Sequence, residues 1–170
     1  MKKLFILILL SMLLGACQSI PTNNLGRLPT GTVFHLNKPL RLYPSQVAIY
    51  FQFGQIVHPN TVDDYKPNCT IEVKHKLAHE QSIQPDTFRI DKVRYQADHA
   101  GSPYYSNYAS FGAAPSFQEY ATEIYLHSAN QPNVYKLSCQ HLEDPMDARH
   151  LHVTEMQQAL GEIITISSPK

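Results

Sequence analysis

Histidine is the side chain whose number and spacing first suggest chemistry, with nine in a chain of 170 residues. His150 and His152 stand two positions apart, so a strand would place both rings on one face. Neutral imidazole is a good ligand for zinc and copper. The pair therefore gives a first candidate metal site, and the alternative is that the histidines are solvent-exposed residues of loops.

Two other histidine groups carry weaker metal-binding signals. His75 and His79 would share a face of a helix, but the zinc-protease order needs Glu directly after the first His, and Lys76 stands there. Alternation over residues 69–77 also predicts a strand, which would separate the two rings. His141 stands close to Glu143, so the C-terminal third holds a second candidate cluster. Metal binding is kept as a hypothesis, and no cofactor is assigned.

Catalytic motifs are missing from the sequence. No Gly-x-Ser-x-Gly turn is present, so the sequence lacks the usual signature of a hydrolase nucleophile. The paired acids Asp63-Asp64 and Glu143-Asp144 lie in polar segments, where adjacent carboxylates are usually solvated. We predict a protein that is not an enzyme, and a cell-wall-acting enzyme is the third hypothesis.

Residues 97–118 are rich in aromatic side chains and have no strand or helix periodicity. Long segments of this kind are usually functional loops or disordered. Tyr104, Tyr105, Tyr108 and Phe111 offer a large contact area, and aromatic residues are enriched at the centres of protein interfaces. These four residues are the predicted partner contact. The alternative is that their rings fold back over one end of the core.

The first 16 residues have the composition of a secretory signal peptide. Lys2 and Lys3 precede an apolar run over residues 4–14, and small residues follow. A membrane-spanning helix needs about 20 apolar residues, whereas this run has 11. We therefore expect residues 1–16 to be removed during export.

The junction Leu14-Gly15-Ala16-Cys17 resembles the lipobox of bacterial lipoprotein precursors. The resemblance implies cleavage before Cys17, a diacylglycerol on its sulfur and an acyl chain, such as palmitate, on its amino group. Two or more acyl chains give stable membrane attachment. Gln18 stands where Asp would mark retention at the inner membrane. By that sorting rule the expected location is the outer membrane, facing the periplasm.

Two cysteines remain if Cys17 carries lipid. An exported protein meets an oxidising compartment, where paired thiols persist as disulfides. Cys69 and Cys139 then have a single possible pairing. Two buried free thiols are the alternative, and a metal pair is disfavoured because no ligand motif accompanies either cysteine.

Composition limits the class of partner. Cleavage before Cys17 leaves 154 residues, with 12 basic against 14 acidic side chains and a net charge of −2. This balance argues against nucleic acid as a partner. The expected partners are the membrane, through the N-terminal lipid, and an envelope protein or cell-wall component.

Hydrophobic patterning predicts one β-rich domain over residues 32–170, tethered through residues 17–31. Period-two alternation predicts strands over 32–36, 40–43, 46–57, 69–74, 88–95, 120–126, 135–139 and 162–166. A change of phase near Asp91-Lys92 predicts a β-bulge. The expected fold is mainly β with some α (α+β): an antiparallel β-sandwich or partly open barrel.

One short C-terminal helix completes the expected fold. Thr154 and Gln157 fit a capping box, and Gly161 supplies a stop signal. Met156, Ala159 and Leu160 would form its buried stripe.

The predicted domain resembles uncharacterised proteobacterial outer-membrane lipoproteins. The shared features are the strand pattern, the cysteine pair and the closing Leu160-Gly161-Glu162 segment. The resemblance implies no activity. The sequence as a whole favours a lipid-anchored, non-catalytic envelope protein that binds or scaffolds another envelope component. A periplasmic lipoprotein that binds zinc or copper through histidines is the alternative.

Overall fold

The computed structural model describes residues 27–99, 117–147 and 149–169. The predicted signal peptide, Cys17 and most of the predicted tether lie outside these ranges. So do the four aromatic residues of the predicted partner contact: Tyr104, Tyr105, Tyr108 and Phe111.

Ten strands and one α-helix make up the regular structure of the described residues. The strands are β1 Val33–Leu36, β2 Leu40–Leu42, β3 Ala48–Gln52, β4 Gln55–Val57, β5 Asn68–Val73, β6 Gln81–Ile83, β7 Asp86–His99, β8 Gln118–His127, β9 Val134–Glu143 and β10 Ile164–Ser167. The helix α1 spans Val153–Leu160, and short 3-10 turns cover Pro59–Thr61 and Pro145–Asp147.

Eight strands form one antiparallel sheet in the order β10-β1-β7-β8-β9-β5-β3-β4. The sheet curls into a half-barrel, while β2 and β6 form a separate two-stranded ribbon. The mainly β fold with one short C-terminal helix is therefore confirmed. Of the two predicted architectures, the partly open barrel describes the curled sheet most directly.

Alternating apolar residues place the core on one face of this sheet. Phe51, Ile71, Ile124 and Leu137 are fully or almost fully buried on four neighbouring strands. The register of β7 against β8 shifts between Ile90 and Lys92, which confirms the predicted bulge. A bulge adds one residue to a strand, so apolar side chains on both sides of it reach the same face.

The predicted strand over residues 46–57 is wrong, because the chain reverses in its middle. β3 and β4 form a hairpin whose turn has positive φ at Phe53 (53°) and Gly54 (76°). Two consecutive positive φ values are typical of the tight turns that match strand twist. Phe53 lies in this turn and is 68% exposed, although a continuous strand would place it on the same face as the buried Phe51.

The helix begins two residues earlier than the Thr154 capping box predicts. His152 is the N-cap, and its N–H donates to the Glu155 carboxylate at 2.8 Å. Arg149 holds that carboxylate with two hydrogen bonds, at 2.7 and 2.8 Å. The end at Gly161 is confirmed, as is the buried stripe of Met156, Ala159 and Leu160.

The structure also differs from the prediction at the ends of the 97–118 loop, at the end of β5 and at β6. β7 continues to His99 and β8 begins at Gln118, so both ends of the predicted 97–118 loop lie in paired strands. At these ends β7 and β8 stay paired although their residues do not alternate between apolar and polar, so the sequence pattern does not reveal the strands. β5 ends at Val73, earlier than predicted, and β6 was not predicted at all.

Candidate functional site

Cys69 and Cys139 form a disulfide between neighbouring strands. They are direct partners in the register of β5 and β9, with Cα atoms 4.1 Å apart. Both side chains are completely buried. This pairing is the one that the sequence predicts. It ties the middle of the sheet together and leaves neither sulfur as a nucleophile.

The candidate metal ligands are only partly brought together. Rings of His141 and His150 both lie against Tyr120, at centroid distances of 6.3 and 5.8 Å. His152 instead caps α1, while His75 and His79 are exposed between β5 and β6. Within residues 27–99, 117–147 and 149–169, no three His, Cys, Asp or Glu side chains are arranged to hold a metal.

The surroundings of His150 favour the neutral form of its ring. Burial, followed by the neighbouring His141, lowers its pKa from the ordinary value. Its Nδ1 atom is buried and has no hydrogen-bond partner. His141 is fixed differently, since its Nε2 lies 2.9 Å from the Arg149 carbonyl oxygen. The two rings act as packing groups at one end of the core.

The paired acids stabilise local turns. Asp63 accepts a hydrogen bond from the Tyr65 N–H at 3.0 Å, and Asp144 accepts one from the Met146 N–H at 2.8 Å. Glu143 accepts from the Asp144 N–H at 3.2 Å. Side-chain to backbone bonds of this kind are usual in Asx turns. They give both acid pairs a structural role.

A groove at the β4 edge of the sheet is a candidate binding surface among the described residues. We call it the edge groove; it has a volume of about 250 Å³ and lies beside β4. Its lining includes Tyr43, Ile49, Tyr50, Ile56 and Pro59. Tyr43 is 57% exposed and Ile56 is 54% exposed.

The edge groove exists because the sheet ends before its apolar face is covered. In register, an inward-facing row runs from Cys139 through Cys69 and Phe51 to Ile56. The first three are completely buried, whereas Ile56 reaches solvent because no other described strand pairs with β4. An edge strand also presents unpaired backbone N–H and C=O groups.

Polar contacts fix the rim of the edge groove. The Arg41 guanidinium lies 5.5 Å from the centre of the Tyr43 ring and forms an ion pair with Glu80. The Tyr43 N–H donates to the Gln46 side-chain oxygen at 2.9 Å. The groove is therefore an ordered surface with apolar walls and a polar rim, as binding surfaces commonly are.

Sequence reasoning missed the edge groove because it placed residues 46–57 in a single strand. The available signal was Phe53-Gly54, since glycine inside a strand pattern suggests a bend or bulge. A turn predicted there would have placed Ile56 on a separate strand after the turn.

Comparisons with family models, curated proteins and solved structures find no match for this chain. Within the described residues, no helix combines the length and the apolar character needed to cross a membrane.

Proposed function

We propose that this protein is a lipid-anchored, non-catalytic component of the bacterial outer membrane that binds another envelope protein. The observation that carries the proposal is the edge groove, which combines exposed apolar side chains with a strand, β4, whose outer edge pairs with no other described strand. The lipobox resemblance at Cys17 supports the anchor and the periplasmic setting.

The edge groove suits a partner segment in extended conformation. Such a segment can add a strand to a sheet edge, where main-chain hydrogen bonds supply affinity and side-chain pockets supply specificity. β4 offers the backbone edge, while Tyr43 and Ile56 offer apolar contacts on either side. Because β4 has only three residues, the added strand would be short and the complex would depend on these side-chain contacts.

The anchor sets the distance at which the partner is found. Residues 17–31 are the predicted tether, but Leu28 is already bonded to Tyr95 of the sheet, which leaves about ten residues between the lipid and the domain. A flexible chain of that length has an average reach of about 17 Å. The partner is therefore a protein held at or near the outer membrane.

Crosslinking in intact cells tests the proposed contact. The full-length protein is expressed with a photo-crosslinking residue in place of Tyr43, which lines the edge groove and is 57% exposed, and the products are identified by mass spectrometry. We expect a defined crosslinked species that Ile56→Lys abolishes. Met146→Lys is the matched control, because Met146 is 93% exposed and lies outside the edge groove. Recovery of the monomer alone would contradict the proposal.

Two further variants separate the parts of the proposal. Cys17→Ser should remove lipid labelling and release the domain from membranes, and unchanged attachment would show the predicted anchor to be wrong.

The double variant Tyr104→Ser/Tyr105→Ser tests the predicted aromatic contact. Loss of the crosslink in that variant, but not in Ile56→Lys, would move the contact from the edge groove to residues 97–118.

A further inference from the structure

A second concave surface lies on the face of the sheet that turns away from the core. We call it the polar cleft; it has a volume of about 290 Å³ and is formed by β3, β5, β7, β8 and β9. One row across its floor, set by strand register, runs from Tyr50 through Thr70 and Ser138 to Glu123. Its size lies near the lower limit of small-ligand sites.

The floor of the polar cleft is buried although it contains polar side chains. Ser138 is only 8% exposed, and the side chains of Lys136 and Glu123 are 17% and 12% exposed. Such depth is unusual on the solvent face of an antiparallel sheet, where polar side chains normally project into water. The cleft is therefore a formed depression in the sheet surface.

The segment between β4 and β5 lies near the polar cleft, since the charge of Asp64 acts on Glu119 in its lining. Gln52 holds it through bonds to the Asp63 carbonyl oxygen and N–H, at 2.8 and 3.0 Å. The Leu142 N–H donates to the Asp64 carbonyl oxygen at 2.7 Å. These hydrogen bonds fix the segment to β3 and β9.

Charge pairing in the polar cleft argues against an anionic ligand. Among the described residues that line it, Lys136 is the only cation. Its Nζ lies 2.5 Å from Glu123 and 3.4 Å from Glu72. Burial disfavours both charged forms, but the Lys136–Glu123 contact outweighs it, raising the pKa of Lys136 and lowering that of Glu123. The Lys136 ammonium group is thus already paired with protein carboxylates and does not offer a free positive charge to an anionic ligand.

The remaining groups can both donate and accept hydrogen bonds. Gln140 donates to the Glu119 carboxylate at 3.3 Å, and Thr70 and Ser138 present hydroxyl groups. Burial, together with the charges of Asp64 and Asp98, raises the pKa of Glu119. Protonated Glu119 donates a hydrogen bond, and ionised Glu119 accepts one. An apolar ligand would leave these groups without partners, at a cost of about 1–3 kcal/mol each.

We propose that the polar cleft binds a neutral oligosaccharide. Sugar hydroxyls donate and accept hydrogen bonds, as the amide, hydroxyl and carboxyl groups of the floor require. Tyr50 supplies an aromatic ring at one wall, against which the C–H face of a sugar can pack. Tyr50 also lines the edge groove, but the polar groups of the cleft floor do not, so the two sites can be tested separately.

Calorimetry on the purified full chain tests the saccharide site, with chitotetraose and maltotetraose as probes. We expect at least one to bind with a dissociation constant of about 1 mM or tighter. Thr70→Val keeps the β-branched shape and removes the hydroxyl, and Gln140→Ala removes the amide. Each should weaken binding about fivefold, the value of one lost hydrogen bond. Gln55→Ala, on exposed β4, is the matched control and should bind as the parent protein does.

The variants are checked for folding by their denaturation midpoints before binding is compared. If Gln140→Ala is unstable, the affinity of the isosteric Thr70→Val variant alone tests the proposed site. Absence of binding by both saccharides would overturn the proposal, as would unchanged affinity in Thr70→Val. Spermidine binding without saccharide binding would also overturn it, since the acidic groups would then select a cation. Ile56→Lys should leave saccharide affinity unchanged, which separates this test from that of the edge groove.

Discussion

At the scale of single residues, His150 connects three parts of the chain that are distant in sequence. Its ring packs edge-on against Tyr95 of β7 and Tyr120 of β8, with centroid distances of 5.1 and 5.8 Å. The Tyr95 hydroxyl in turn accepts a hydrogen bond from the Leu28 N–H at 3.1 Å. The His150 ring therefore packs where the N-terminal segment meets the sheet.

The lowered pKa of His150 predicts that mild acid destabilises the fold. An unfolded histidine has a pKa of about 6.5. Because the folded pKa is lower, the unfolded chain binds more protons between the two values, and stability falls as pH falls through that window. We expect the free energy of unfolding, measured by urea denaturation, to decrease from neutral pH toward pH 5.

His150→Gln should flatten this part of the pH profile, since glutamine does not titrate. His79→Gln is the matched control, because His79 is exposed, and its profile should follow that of the parent protein. An unchanged pH dependence in His150→Gln would show that other groups cause the acid sensitivity.

At the scale of elements, two glycines join the β3–β4 hairpin to the end of α1. The Gly54 N–H donates to the Ala159 carbonyl oxygen at 3.0 Å. A Cβ atom on Gly161 would lie 2.5 Å from the Gly54 Cα, closer than real Cβ atoms approach backbone. Gly161 also has a φ of 59°, which residues with side chains rarely adopt. The backbone of the hairpin turn therefore contacts the backbone of the helix end directly, with no side chain between Gly54 and Gly161.

Gly161→Ala should therefore separate the hairpin from the helix. We expect it to lower the free energy of unfolding by about 2–3 kcal/mol, from backbone strain and overpacking together. Chemical denaturation measures the loss. Gln158→Ala, an exposed substitution in the same helix, is the control and should change stability by less than about 0.5 kcal/mol. A Gly161→Ala protein as stable as this control would mean that the contact relaxes at little cost.

At the scale of the whole molecule, one crosslink joins the two halves of the chain. Cys69 and Cys139 are 70 residues apart, and β5 and β9 lie next to each other inside the eight-stranded sheet. The bridge restricts the unfolded chain far more than it changes the folded sheet, whose strands are already paired there. In the chain-entropy description, a closed loop of this length stabilises the fold by about 4 kcal/mol.

Reduction of the disulfide should therefore lower the denaturation midpoint strongly, with a loss of about 4 kcal/mol in the free energy of unfolding. Denaturation with and without reductant measures the difference. The double variant Cys69→Ala/Cys139→Ala controls for other effects of the reductant and should not respond to it. A reduced parent protein as stable as the oxidised one would show that the sheet does not depend on the bridge.

The sequence by itself determined the features that depend on local periodicity and residue type. Alternation identified most strands of the sheet, including the inward phase of Cys69 and Cys139. The spacing of Met156, Ala159 and Leu160 identified the buried stripe of the helix. These signals are readable because side chains two residues apart share a face of a strand, and those three or four apart share a face of a helix.

Only the tertiary structure decided what the strands build together. Phe53 takes a positive φ in the tight turn that packs against Gly161, and the reversal of the chain there makes β4 the edge strand beside the edge groove. The polar cleft takes side chains from five strands, and His141 and His150 meet through Tyr120. Each arrangement depends on which strands pair and in which register. Pairing joins residues far apart in the chain, so no local pattern specifies it.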